Sequence, residues 1–102
     1  MSVYPVELHP EAVADAEAAL AWYQERSPRA AELLARELEK AIEAISGTPH
    51  RWPPYEQGTR RFLLRRFPYF IVYREKAGTI QVLAVAHGRR RPGYWRHRVS
   101  QM

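Results

Sequence analysis

The apolar positions of this chain follow two different periods. Between Pro10 and Arg26 they return every three or four residues, at Val13, Ala16, Leu20 and Tyr23, which predicts a helix with one apolar stripe. From Pro28 to about Ile45 the same spacing is cleaner. Ala31, Leu34, Leu38, Ala41 and Ile45 form the stripe, with Leu33 and Ile42 beside it. Elsewhere short apolar runs rich in β-branched and aromatic residues predict strands: VYPVEL over residues 3–8, RRFLLRRF over 60–67, YFIVYR over 69–74 and TIQVLAVAH over 79–87.

Local chemistry sets the boundaries. Pro10 suits a first helical turn, and Glu11 and Asp15 place negative charge near the positive end of the helix dipole. Ser27-Pro28 stops one helix and starts the next, because Pro28 disfavours helical geometry at Ser27 while Ser27 can cap the second helix. Glu32 and Arg36 stand one turn apart on the solvent side. Gly47 is placed to end the second helix, and GTPHRWPPYEQGT, residues 47–59, reads as a loop that Trp52 and Tyr55 anchor to the domain. Glu75-Lys76-Ala77-Gly78 suits a hairpin link. The expected fold class is α+β: an N-terminal strand, an antiparallel helical hairpin, then a three-stranded antiparallel meander, in the order β-α-α-β-β-β. The helices cover one face of the sheet, and the first strand joins it beside a later one.

At 102 residues the chain is expected to be a single domain, 1–102, with residues 95–102 as a flexible basic tail. There is no cysteine, which removes disulfide and thiolate chemistry and fits a cytoplasmic protein. No apolar run is long enough for a membrane span and no leader pattern opens the chain, so no membrane role is expected.

Charge changes the picture most. Residues 1–59 carry five basic and ten acidic side chains, a net of −5; residues 60–102 carry eleven basic and one acidic, a net of +10. Such asymmetry predicts one basic surface for a polyanion or an acidic partner, on the sheet and tail rather than the helices.

Two groups could carry chemistry. Arg60, Arg61, Arg65 and Arg66 lie on the second expected strand, where 61 and 65 share one side and 60 and 66 the other. Their forks match phosphate oxygens, and equally the helices' glutamates. The second group is AVAHGRRRPGYW, residues 84–95: His87 ends the last strand, Arg89, Arg90 and Arg91 follow, and Tyr94 and Trp95 return to the surface. Metal-free RNA cleavage needs a base, an acid and cations around the phosphate. His87 and Tyr94 could move protons while Arg65, Arg89 and Arg90 supply the field; the alternative is a structural histidine. Arg96, His97 and Arg98 are expected to fray, where basic residues can track phosphates. The histidines are scattered and no glycine-rich phosphate loop occurs, so neither a metal nor a cofactor is implied.

From Gly58 to Trp95 the chain resembles the toxins of the RelE/ParE superfamily, through an arginine-rich strand ending in FPY, an I-x-Y-R strand and a last strand ending in AHGRR. ERSPRAAELLARELEKAIEAI, residues 25–45, is similar to the family's second helix. The resemblance implies a small sheet packed on a helical hairpin, and a cognate antitoxin that masks the basic surface in a hetero-oligomer. ParE-like members inhibit DNA gyrase; RelE-like members cleave mRNA on the ribosome. The long hairpin and the HGRR strand end favour the ParE-like side, as does the near absence of lysine (only Lys40 and Lys76). On that side Arg60, Arg61, Arg65, Arg66, Arg89, Arg90, Arg91 and Arg96 are target-binding candidates and the protein is not an enzyme. On the RelE-like side His87, Arg65, Arg89 and Tyr94 are the catalytic candidates. A third reading is a basic binding module without toxicity.

Overall fold

The computed structural model describes residues 3–102. The elements run β1 (Val6–Leu8), α1 (Pro10–Arg26), α2 (Pro28–Gly47), β2 (Arg60–Leu63), β3 (Tyr69–Lys76), β4 (Thr79–His87) and a C-terminal 3-10 segment, Arg96–Gln101. They form one sheet in the order β1-β4-β3-β2. β2, β3 and β4 are antiparallel neighbours, and β1 pairs parallel with β4 through Val6–Ile80, Glu7–Gln81 and Leu8–Val82. The α+β class and the β-α-α-β-β-β order therefore hold, in a mixed sheet.

The helix boundaries follow from their caps. His9 precedes Pro10, and its Nδ1 accepts the Glu11 N–H at 3.0 Å. Ser27 Oγ accepts the Ala30 N–H at 3.2 Å, with Pro28 at the first position of α2. The C-terminal cap of α2 is Thr48, whose N–H and hydroxyl both donate to the Ala44 carbonyl, so Gly47 remains helical. The α2 stripe is buried as the spacing predicts. That of α1 is rotated: Ala12 and Ala19 are buried and Val13 is exposed, because small alanines let α1 lie close on β4. Glu32 pairs with Arg29 at 3.5 Å rather than with Arg36.

β2 stops at Leu63, four residues short of the expected end. Leu64 turns into the core, its N–H donating to the Tyr69 carbonyl. The N–H groups of Arg65 and Arg66 both donate to one Glu37 carboxylate oxygen on α2. Arg65 and Arg66 thus sit in a turn, and the expected alternation of 60, 61, 65 and 66 across a strand fails. The hairpin β3–β4 closes through Ala77 and Gly78, both at positive φ (51° and 82°), the geometry of a two-residue turn.

In β4 one extra residue, Leu83, stands between the pairs Val72–Ala84 and Tyr73–Val82. This bulge keeps both faces apolar. Ile71, Tyr73, Ile80, Val82 and Val85 pack with the helices, while Val72 and Ala84 lie on the other face under Trp95. Trp52 packs on Phe62 on the first side; Tyr55 packs on Phe70 and Trp95 on the second. Both loop aromatics anchor the domain, as the sequence predicts.

Candidate functional site

β4 runs five residues beyond the end of β1, which leaves an uncovered strand edge above Leu8. Unpaired backbone groups there need partners. Side chains provide them. The Asp15 carboxylate on α1 accepts the Val85 N–H at 3.0 Å, and Arg98 donates to the Leu83 carbonyl at 3.0 Å. Asp15 also accepts from Arg98 at 2.6 and 3.3 Å and from the Tyr94 hydroxyl at 3.2 Å. Both members of the Asp15–Arg98 pair are nearly sealed from solvent, with 9% and 5% of their side chains exposed.

This cluster corrects the expected flexible tail. Trp95 is buried on the sheet. Arg96 pairs with Glu56, its Nε 2.8 Å from Oε1, and folds across Gly93, where no Cβ stands in its way. His97 Nε2 lies 2.9 Å from Glu11, and Arg74 donates to the Val99 carbonyl at 2.8 Å. Gln101 reaches His9 Nε2 at 2.9 Å. Residues 96–101 are folded because acids on α1 and in the long loop meet their cations. Hydrogen bonding to His97 holds the Glu11 carboxyl below its ordinary range.

His87, half-buried, ends β4. Its Nδ1 accepts the Arg89 N–H at 2.9 Å and its ring stands edge-on to Tyr69 with centroids 5.0 Å apart. With Nδ1 accepting, the neutral ring carries its proton on Nε2, so neither nitrogen is a free base. Tyr94 offers no ready acid. Burial, reinforced by the neighbouring Asp15 charge, pushes its hydroxyl up to about 12.

Two grooves meet at His87. The larger, about 600 Å³, lies between α1 and the end of β4 and is lined by Asp15, Trp22, Tyr23, Tyr69, His87 and Arg90 among others. The smaller, about 220 Å³, opens on the other face around Tyr55, Arg61, Phe70 and Arg91. Arg61 lies over Tyr55 at 4.5 Å, and Arg90 over Tyr94 at 4.1 Å. Arg89 and Arg91 are exposed, and among the described residues no side chain engages them.

The structure thus gathers Arg61, His87, Arg89, Arg90, Arg91 and Tyr94 around the end of β4. Arg60 is a structural residue, donating to the Trp52 carbonyl at 2.6 Å, and Arg96 is tied to Glu56. Arg65 and Arg66 line a separate groove against α2. Sequence reasoning missed Asp15 and Arg98. The available signal was spacing: Ala12, Asp15, Ala16 and Ala19 share one helical face, so the carboxylate points along the buried stripe.

Comparison with known proteins gives a consistent result. A family model described as the ParE toxin of type II toxin–antitoxin systems, parDE, matches residues 6–92. The fold matches a chain of the chromosomal ParDE toxin–antitoxin system from P. aeruginosa with a TM-score of 0.75 at 21% identity, covering 83% of this chain and 96% of that one. It also matches a chain of the RelBE2 toxin–antitoxin complex from Mycobacterium tuberculosis, with a TM-score of 0.57 at 27% identity, covering 83% and 98%. No curated protein matches.

Proposed function

The chain belongs to the ParE toxin family of type II toxin–antitoxin systems, and from that premise we propose that it inhibits DNA gyrase and is silenced by a cognate antitoxin. The observation that carries the non-enzymatic reading is the state of its two proton-transfer candidates. Tyr94 is committed to Asp15 and ionises only near 12, while His87 uses its basic nitrogen on the Arg89 backbone. A metal-free nuclease needs both a base and an acid at that point. What remains is a set of exposed cations, Arg89, Arg90 and Arg91, just beyond the end of β4. Such a surface suits binding to a large target or to an acidic antitoxin segment.

A second reading has its own support. His87, Arg61 and Arg91 border one groove, which brings the histidine beside cations that could face a phosphate, and the RelBE2 match exceeds the ParDE match in identity. That is the RelE-like mRNA endonuclease. Pulse labelling after induced expression without antitoxin separates the two. The gyrase reading expects thymidine incorporation to fall first, gyrase supercoiling to be inhibited by the purified protein, and His87→Ala to remain toxic. An immediate stop in amino-acid incorporation, abolished by His87→Ala, overturns it. No effect on either leaves the basic binding module.

A further inference from the structure

Of the sixteen Lys and Arg side chains, nine are engaged within the chain. Arg26, Arg29, Arg96 and Arg98 pair with carboxylates. Arg60 and Arg74 donate to backbone carbonyls, and Arg51, Arg61 and Arg90 lie over aromatic rings. Seven are not so engaged among the described residues: Arg36, Lys40, Arg65, Arg66, Lys76, Arg89 and Arg91. Four of these seven line a single groove of about 490 Å³ between α2 and the β2–β3 turn, with Leu33 and Glu37.

Four cations held together without in-chain partners repel one another, so the arrangement is stabilised by an anion. One anionic group is already present. Glu37 Oε1 accepts both the Arg65 and the Arg66 N–H. Successive backbone N–H groups converging on one oxygen form an anion nest, here filled by Glu37, and the Arg36, Arg65 and Arg66 side chains line the groove beside it, where their forks suit the oxygens of a phosphate. Glu37 neutralises one of the four charges and leaves the groove at a net +3.

We propose that this groove is a second anion site, separate from the cluster at the end of β4, that binds the phosphodiester backbone of a nucleic acid with Glu37 holding the turn open for it. The groove offers Arg36 and Lys40 one helical turn apart, so two cations face successive positions along an extended anion. Five of its six lining residues are charged and Leu33 is the one apolar residue among them, a lining that favours a chain of phosphates over the apolar side chains of a peptide. The inference stands on the groove and not on the gyrase reading.

The test is binding of the purified full-length protein to a fluorescein-labelled random duplex DNA, and to an RNA hairpin of the same length, across 50–200 mM salt. Loss of two phosphate contacts lowers the salt slope by about 1.8, at roughly 0.9 per phosphate. Arg36→Gln with Lys40→Gln is expected to lower the slope by about that amount and to weaken binding roughly tenfold. Glu37→Gln, which keeps an oxygen for the turn but removes the charge, is expected to tighten it several-fold. Tighter binding of one probe identifies DNA or RNA as the source of the phosphates, and equal binding identifies the backbone they share. An unchanged slope in the Arg36/Lys40 variant, with binding lost in Arg89→Gln with Arg91→Gln, overturns the proposal. So does a polyglutamate competitor that displaces the DNA at equal charge concentration. Circular dichroism of each variant checks that the fold survives the substitution.

Discussion

Arg89–Arg91 and Arg96–Arg98 lie within ten residues of each other and carry similar charge, yet the molecule treats them oppositely. Arg98 is buried, bound to Asp15 and to the Leu83 carbonyl, and Arg96 is tied to Glu56. Arg89 and Arg91 are exposed, with no side-chain partner among the described residues. The difference lies in what each meets. The chain after Trp95 passes over the open edge of β4 and the start of α1, where Glu11 and Asp15 stand. Among the described residues, the chain after His87 brings no carboxylate within ion-pair distance of Arg89 or Arg91. A basic run is therefore structural where the fold brings a carboxylate to it and a recognition surface where it does not.

The comparison can be broken or sharpened in four ways. Trp95→Ala removes the anchor between the two segments; a loss of about 4 kcal/mol is expected in urea unfolding, as for other large buried aromatics. Arg98→Ala leaves Asp15 as an unpaired charge in a nearly dry site, and a loss of about 3 kcal/mol is expected by the same measurement. A change under about 1 kcal/mol would mean that the tail is as free as the arginine run. Tyr94→Phe keeps the ring and removes one hydroxyl bond, for about 1 kcal/mol.

Tyr94→Phe also alters the alkaline behaviour. Burial pushes Tyr73 as well as Tyr94 up to about 12, and both hydroxyls ionise near 10 when unfolded. Between pH 10 and 12 the unfolded chain loses protons that the native chain keeps, so stability falls as pH rises through that window. Ultraviolet titration of the six tyrosines is expected to show a late-ionising class that Tyr94→Phe diminishes. The smallest effect on stability is expected for Arg89→Gln with Arg91→Gln, within about 0.5 kcal/mol. The same variant is expected to lose toxicity on induction while keeping its melting behaviour. A large stability loss there would erase the distinction between the two segments.

Much of the fold was legible along the chain. The Ser27-Pro28 junction, the α2 stripe and the β4 boundaries are local properties of side-chain spacing and backbone preference, and each was realised. The end of β2 was not legible, because it depends on Glu37, distant in sequence, capturing two N–H groups. The Leu83 bulge was likewise hidden, since an apolar run has no marker for an extra residue. Of the site, sequence located the basic cluster and His87. It could not sort arginines into structural and free, or see that Tyr94 is held by Asp15 across 79 positions.

By itself the sequence determined the helical hairpin, the succession of elements along the chain and the existence of a basic half, because these follow from period, caps and composition. Only the tertiary structure decided which cations are used up and where the tail lies. An ion pair or a strand-edge cap is set by what the fold brings within about 3 Å, and no local pattern encodes that distance.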